Sequence, residues 1–440
     1  MSDWQQISLG DLATMARRKV DVPPQGPGAS MSDTTGHNDA ALVQEGWTPS
    51  PLARFLTLNV ESVDVDPDQS YPTVGVLNRG RGLLYRDPVA GSSTSYKKLN
   101  RIGPGVLVYS RLKAFEGAIT VTPGDLPESF ASQEFPTFAF SSEADPDFFR
   151  ILATTQRMWA ALQGASKGMG GRRERVKPAD FLNIVMEIPP LPVQQRIVEV
   201  IDAVDAQIAA LDTEAGALRD VLRRLRADLM TDDSADEVRA DEAFGITMGR
   251  QRSPQRASGP HMAPYLRSAN VGYGTLDLSD VLEMDFNPSE RETFGLRYGD
   301  VLVSEGSASE TAVGMPAMWR DEIPAPVCFQ NTLLRYRAIQ GVSIPAFVKH
   351  WCLWAYESGQ FRDVAGGTNI KHIGSRRALG MRVRLPNVTD QERIATELDS
   401  MSEVIAATRA EAARLREVRA GLLSGLLDRA IDIESAELEV

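Results

Sequence analysis

The chain reads as an α+β protein: two mixed α/β domains in tandem repeat, separated by two long helices that pair as an antiparallel coiled coil. Three observations predict this. A stretch of about 200 residues recurs at a constant offset. Each copy ends in a long amphipathic helix with an a/d seam. The remainder consists of short strands bounded by Gly, Pro, Asn and Asp, with only moderate helices among them, which suits α+β better than a doubly wound sheet.

The repeat comes first. IPPLPVQQRIVEVIDAVDAQIAAL begins at Ile188 and LPNVTDQERIATELDSMSEVIAAT at Leu385. Pro189 falls on Pro386, Gln194 on Gln391, Arg196 on Arg393 and Ile197 on Ile394, always 197 residues apart. The match continues without a gap through Asp202 and Asp399, Ile208 and Ile405, Glu214 and Glu411, Leu218 and Leu415, and Leu225 and Leu422. Shared helical spacing arises by chance; the same Pro, Gln, Arg and Ile ahead of it do not.

The first helix carries its seam on Ile197, Ile201, Val204, Ile208, Leu211, Ala215, Leu218, Leu222, Leu225 and Leu229, alternating steps of four and three. In the second the seam is Ile394, Leu398, Met401, Ile405, Thr408, Ala412, Leu415, Arg419, Leu422 and Leu426, with Thr408 and Arg419 as local weaknesses. Pro189, Pro190 and Pro192 punctuate the first helix start, and Pro386 the second. A seam this narrow suits pairing with another long helix. At 1.5 Å per residue, ~35 residues make a rod of roughly 50 Å.

These elements give the expected boundaries: a first domain over 1–190, with 22–45 a flexible arm; a spacer helix over 191–232; a second domain over 233–386; a second spacer helix over 387–430; and an acidic tail over 431–440. The acidic run TDDSADEVRADE, Thr231 to Glu242, reads as a loop or linker. Trp4 and Trp47 head two similar starts on either side of the Pro/Gly/Ser-rich arm. Strands are expected at VGVL (Val74–Leu77), GVLVYS (Gly105–Ser110), AITVTP (Ala118–Pro123) and FPTFAF (Phe135–Phe140). Their counterparts are PYLRSANV (Pro264–Val271), GDVLVSEG (Gly299–Gly306), AVGMPAMW (Ala312–Trp319) and NTLLRYR (Asn331–Arg337). Helices are expected near Asp145–Leu162 and Pro345–Phe361.

Composition narrows the function. Hydrophobic residues at 42% and charged residues at 24% are ordinary for a globular protein. No apolar run is long enough to span a membrane and the N-terminus lacks a secretory pattern. Two cysteines, Cys328 and Cys352, cannot make a disulfide framework, so a cytoplasmic location is expected. There is no GxxxxGK[ST] loop and no GxSxG elbow. The glycines from Gly164 to Gly171 follow a helix instead of joining a strand to one. Asn287-Pro288 lacks the second proline and aromatic that an amino-methyltransferase needs. His37, His261, His350 and His372 show no metal-ligand spacing, and His350 with Cys352 reads as core. Glu116 and Glu305 are single carboxylates, not a dyad. Neither catalysis nor a cofactor in this chain is expected.

The net charge is −12, yet the basic residues cluster. Ala243–Leu276 holds Arg250, Arg252, Arg256 and Arg267 with no acidic residue, and Val364–Thr389 holds Lys371, Arg376, Arg377, Arg382 and Arg384 with none. In the first copy, Arg79, Arg81, Arg86, Lys97, Lys98 and Arg101 lie close to Arg111 and Lys113, followed by Lys167, Arg172, Arg173, Arg175 and Lys177. Any one run could be a solvated face. Four, at related places in two copies and mixed with Gly, Ser, Asn and Tyr, read as a non-catalytic nucleic-acid binder. A coiled-coil scaffold or adaptor whose lobes bind protein partners is the alternative.

With these residues in view, the chain resembles the specificity subunit of type I restriction–modification systems over nearly its whole length. The resemblance is carried by YPTVGVLNRGRGLLYRD (Tyr71–Asp87), YKKLNRIGPGVLVYSRLKAFEGAI (Tyr96–Ile119), SQEFP (Ser132–Pro136), PYLRSANVGYG (Pro264–Gly274), GDVLVSEG, CFQNTLLRYR (Cys328–Arg337), GGTNIKHI (Gly366–Ile373) and both LPxxxQxRI-type helix starts. It implies two target-recognition domains, each reading one half of a split, asymmetric site on double-stranded DNA, with the helices setting the unread spacing. It also implies two methyltransferase subunits docked on those helices, and restriction/motor subunits joining them. S-adenosylmethionine, ATP and Mg would belong to the partners. On that basis Arg79, Arg81, Lys113, Arg172, Arg173, Lys371 and Arg376 are expected on phosphates. Asn78, Tyr109, Arg111, Asn270, Asn369 and His372 are expected on base edges. The helix–helix interface is expected at Ile197, Ile201, Val204, Ile208, Leu211, Leu218, Leu222, Ile394, Leu398, Met401, Ile405 and Leu415.

Overall fold

The computed structural model describes residues 47–166, 175–307, 309, 311–368, 370–431 and 433. They fall into two compact units: residues up to Ala206 together with those from Glu417 onward, and Gln207–Arg416.

Both units repeat one plan. The first holds a four-stranded antiparallel sheet in the order Leu56–Leu58, Thr137–Phe140, Leu107–Tyr109, Ile119–Val121. The second holds Phe244–Met248, Leu333–Ala338, Val301–Ser304, Pro316–Met318 in the same order. A two-stranded antiparallel clip joins Pro49–Pro51 to Val185–Glu187, and its counterpart joins Asp236–Arg239 to Arg382–Leu385. The strands expected from the sequence are present in part of each range: the one expected over Pro264–Val271 ends at Leu266 and gives way to a 3-10 turn at Ser268–Asn270, and the one expected over Ala312–Trp319 spans only Pro316–Met318. The acidic run from Thr231, expected to be a loop, is instead partly a strand: its carboxylates face a basic partner, with Arg384 on Asp233 at 2.9 Å and Arg382 near Glu237 at 3.9 Å.

The central strands are apolar without interruption because both of their faces are covered. Leu107 and Tyr109 enter the helix-side core with Phe148, Met158 and Phe181, while Val108 between them joins Val74, Ile102 and Ala131 under an outer sheet. Val301 and Val303 pack with Trp351 and Phe361, and Leu302 with Leu266, Trp319 and Phe329. The period of two in a strand sends alternate residues to opposite cores. The outer sheets are where the copies diverge. The first has five strands in the order Glu61–Asp64, Lys98–Ile102, Ser129–Ala131, Ser70–Val76, Leu83–Ala90; the second has three, Leu282–Asp285, Met262–Leu266, Cys328–Phe329.

Each expected helix over the core is broken. Pro146–Leu152, capped by the Asp145 carboxylate on the Asp147 and Phe148 amides, ends where the Thr154 and Thr155 hydroxyls donate to the Ile151 and Leu152 carbonyls. Thr155 then caps Gln156–Ala165. Pro345–Glu357 stops before Gly359, whose φ of +85° suits glycine, and Gln360–Val364 follows.

The long helices are Leu191–Met230 and Val388–Leu427. In the first unit Ile197 and Ile201, near the start of one, share a core with Leu423, Leu426 and Leu427, at the end of the other. In the second unit Leu222, with Leu218 at its edge, packs among Ile394, Leu398 and Ile405, with Met401 beside them. Start therefore meets end, an antiparallel pair. Val204, Ile208, Leu211 and Leu415 are buried as well. Arg419, which interrupts the seam in sequence, is absorbed by a bidentate pair with Asp205.

The duplicated helix starts are anchored by duplicated polar networks. Gln194 is fully buried: its Oε1 accepts from the Asp145 amide at 2.8 Å, and its Nε2 donates to the Glu143 and Pro189 carbonyls at 2.9 and 2.8 Å. Gln391, also fully buried, accepts from the Ile344 amide at 3.1 Å and donates to the Val342 and Pro386 carbonyls at 2.9 and 2.8 Å. One turn of domain helix further on, Arg150 grips Asp202 at 2.9 and 3.0 Å, whereas Lys349 and His350 together grip Asp399, the imidazole at 2.9 Å. Burial pushes the His350 pKa down to about 4, against the pull of Asp399. Burial works to raise the Asp399 carboxyl, but the bonds from His350 and Lys349 outweigh it and hold the pKa at about 2.

Candidate nucleic-acid interface

In the first unit the loop after Ser70–Val76 carries Asn78, Arg79 and Arg81. It is held from below. The Asn78 amide donates to Glu116, and the Gly80 amide donates to the Gly117 carbonyl at 3.1 Å. Arg79 has a φ of +60°, a left-handed backbone that sends its guanidinium over the Trp159 ring, 5.9 Å from the centroid. Gly80 follows at φ +64°, and a Cβ there would lie 2.5 Å from the Ala153 carbonyl oxygen. The Arg81 Nε donates to the Asn78 carbonyl at 3.0 Å. Lys113 stands 3.7 Å from Glu116 and is more than half exposed. Arg79 and Arg81 are exposed and form no ion pair with a described acidic residue. The loop therefore presents two uncompensated guanidiniums on a rigid turn.

Arg111 sits lower. It shares the Glu134 carboxylate with Arg175, at 3.9 and 3.2 Å, and its Nε is buried without a partner. Arg172 and Arg173 lie outside the described residues, as does Asn369 in the second unit. Two expected base readers are corrected. Tyr109 is 0% exposed: it packs against Phe138 and Phe181, and its hydroxyl donates to the Val176 carbonyl at 3.1 Å. Burial pushes its hydroxyl well above the usual range. Asn270 is 2% exposed. Its amide donates to the Asp277 and Asp280 carbonyls at 2.9 and 3.0 Å, and its oxygen accepts from the Arg267 amide at 3.0 Å. A side chain whose bonds are all spent on its own loop has none left for a base edge.

In the second unit Lys371–His372 pairs antiparallel with Gly306–Ser307. Glu305 organises this strand pair: Oε2 meets His372 Nδ1 at 2.8 Å, Oε1 accepts from the Gly374 amide at 3.1 Å, and its carbonyl accepts from the Ile373 amide at 2.9 Å. The His372 side chain remains 53% exposed while Glu305 is buried, so the carboxylate acts as a strut and the imidazole as the presented group. Arg377 ties the end of the Lys371–His372 strand through the Ile373 carbonyl at 2.7 Å. Lys371 and Arg376 have no described acidic partner.

Space cancels much of the basic run at 243–276. Glu290 accepts from both Arg250 and Arg256 at 2.8 Å, and Asp280 pairs with Arg267. The two guanidiniums hold the Glu290 carboxyl below its usual range, the bond from Arg256 foremost. Asn287-Pro288 serves only to cap a short helix, in a reciprocal box with Glu290. Conversely, exposed Tyr85 on the outer sheet of the first unit, beside Arg86 of the expected basic cluster, Tyr96 in the segment before Lys98–Ile102, and Tyr298 in the second unit offer stacking surfaces that the sequence did not single out. Among the described residues no three His, Cys, Asp or Glu side chains converge as metal ligands would, and no helix is long and apolar enough to cross a membrane.

Fold and site together define a class: a tandem pair of like α+β domains, each built onto an antiparallel pair of long helix segments and each carrying a small basic loop surface. No protein-family model matches the chain. Over 393 residues it is 21% identical to the EcoKI type I restriction enzyme specificity subunit of Escherichia coli (strain K12), covering 82% of this chain and 83% of that one. The StySPI specificity subunit of Salmonella potsdam is 20% identical over 174 residues, 40% of this chain and 36% of the other. Among solved structures, a chain from the work on complex assembly and conformational transition of the type I R-M system superposes with a TM-score of 0.60 at 19% identity, covering 87% of this chain and 98% of that one. The HsdS subunit from Thermoanaerobacter tengcongensis gives 0.49 at 18% identity, over 87% and 97%. The chain is thus similar in sequence to type I specificity subunits, the family its motifs resemble, and in fold to a chain of a type I R-M system.

Proposed function

We propose that this chain is a non-catalytic DNA-specificity subunit, each of whose two domains reads one half of a bipartite, asymmetric site. The paired helices then hold the halves at a fixed spacing and dock two methyltransferase subunits, to which restriction/motor subunits add. S-adenosylmethionine, ATP and Mg act in those partners. The observation that carries the reading is the duplication itself. The same sheet order and the same buried glutamine network recur in both units, while the outer sheets and loops, which would meet DNA, differ. Two frames with unlike reading surfaces suit two unlike half-sites.

Within this reading Arg79, Arg81, Lys113, Lys371 and Arg376, together with Arg172 and Arg173, contact phosphates, and Asn78 and His372, together with Asn369, read base edges. The test is genome-wide mapping of methylated bases in the host and in a strain lacking the gene. Loss of one bipartite motif on deletion supports the reading, and an unchanged methylation map refutes it. On the purified complex, Arg79→Ala with Arg81→Ala should lower the slope of log K against log salt by about 2.

A further inference from the structure

The second unit contains a second basic feature, lined by residues other than those of the Lys371–His372 strand pair. A cavity of about 450 Å³ opens between the first long helix, the second long helix and the end of the helix Pro345–Glu357. Arg219 and Arg223 line it from one helix, Arg409 from the other, and Arg362 from the short helix Gln360–Val364. All four are exposed, and none forms an ion pair with a described acidic residue. Arg219 and Arg223 stand four apart on one helix face, where like charges repel unless an anion lies between them. The volume is that of a site for a ligand of nucleotide size.

A buried group borders the same space. Glu357 lines the cavity, yet its side chain is only 7% exposed, and that of its partner Arg226 only 3%. Its Oε1 is saturated: Arg226 Nη1 donates at 2.5 Å, and the Tyr273 hydroxyl donates to the same oxygen. Its Oε2 is buried with no hydrogen-bond partner. Burial, reinforced by Glu357, raises the Tyr273 pKa to about 12, so this donor keeps its proton. A buried carboxylate oxygen left without a donor is costly, and a ligand hydroxyl would satisfy it. Tyr273 and Tyr356, 5.8 Å apart, supply the apolar wall.

We propose that this cavity binds a polyphosphate anion, with Arg219, Arg223, Arg362 and Arg409 on the phosphates and the free oxygen of Glu357 accepting from a hydroxyl carried by the same molecule. Arginine suits the role because its planar fork engages phosphate oxygens two at a time. The chemistry is shared by a nucleoside triphosphate and a free polyphosphate, and only the former brings sugar hydroxyls.

Titration calorimetry of the full chain with ATP, with pyrophosphate and with adenosine separates the sources. Saturable binding of ATP at least fivefold tighter than pyrophosphate, with the difference removed in Glu357→Gln, assigns a nucleotide. Equal binding of ATP and pyrophosphate assigns a free polyphosphate held by the arginines and overturns the hydroxyl contact to Glu357. Arg219→Ala with Arg409→Ala should weaken either ligand at least tenfold, and Arg224→Ala, exposed on the same helix but outside the cavity, should leave both unchanged. No saturable binding of ATP or pyrophosphate, or equal binding by the double variant and the wild type, overturns the proposal. The measurement involves no DNA, so its failure leaves the recognition reading intact.

Discussion

Replacing Gln194 by leucine keeps the volume of a fully buried side chain and removes three hydrogen bonds, at 2.8, 2.9 and 2.8 Å. The Asp145 amide and the Glu143 and Pro189 carbonyls lose their partner together. Each intramolecular bond is worth about 1 kcal/mol net, and each buried group left unpaired costs about 1–3 kcal/mol. Leucine recovers some apolar burial, so the expected loss is roughly 3–5 kcal/mol. For a unit of this size that is a fall of about 10 °C in Tm, read by circular dichroism or calorimetry. Gln194→Glu separates hydrogen bonding from packing: it can still accept from Asp145 but cannot donate to either carbonyl, and it buries a charge. It should be worse than leucine. Gln391→Leu should cost about the same in the second unit. A loss below about 1 kcal/mol for both leucine variants, or a glutamate variant more stable than the leucine one, would refute the claim that these glutamines lock the long helices to their domains.

Three further outcomes are expected. His350 is neutral in the folded chain because burial holds its pKa at about 4, whereas the unfolded chain takes up a proton near the ordinary value of about 6.5. The folded state therefore binds fewer protons in that window, so stability is full above pH ~6.5 and falls by roughly 3 kcal/mol toward pH 4; His350→Gln should flatten denaturant midpoints over this range, and an unchanged pH profile contradicts the assignment. Gly80→Ala forces a Cβ into the Ala153 carbonyl at a left-handed backbone; it should weaken DNA binding by displacing Arg79 and Arg81, while Tm changes by no more than a few degrees. Ile201→Ala, at a fully buried seam position, should cost about 2–5 kcal/mol in chemical denaturation, whereas Val221→Ala, exposed on the same helix, should cost almost nothing.

The fold was legible where chemistry is local and periodic. Ile197 to Leu229 announces a helix by spacing alone, and the repeat revealed that two units share one plan. The acidic segment at Asp236 was misread because its strand character comes from a partner in the chain far ahead, Arg382–Leu385, whose arginines neutralise it. A polar run is a loop only when nothing of opposite sign lies opposite. The helix breaks at Thr155 and Gly359 did have signals, a hydroxyl pair and a glycine, which the hydrophobic periodicity masked.

The site was less legible, and for a physical reason. An acid-free stretch of sequence is not an acid-free surface, because Glu290 reaches back 40 residues to Arg250 and 34 to Arg256. Only tertiary contact decides which arginines stay uncompensated, and in the first unit it leaves Arg79 and Arg81 free while spending Arg101 and Arg175 on Glu61, Glu128 and Glu134. Tyr109 illustrates the converse. It closes an apolar run bounded by Gly105 and Ser110, and a strand apolar at every position has both faces covered. Its neighbours therefore already placed it in the core, and the hydroxyl that suggested base reading only needed one carbonyl, that of Val176. A polar tip on an aromatic ring marks a reader only where the ring itself reaches solvent. The outer strand Leu83–Ala90 has no buried position and Tyr85 on it is 59% exposed, which makes Tyr85→Ala with Arg86→Ala the sharper probe of the first half-site.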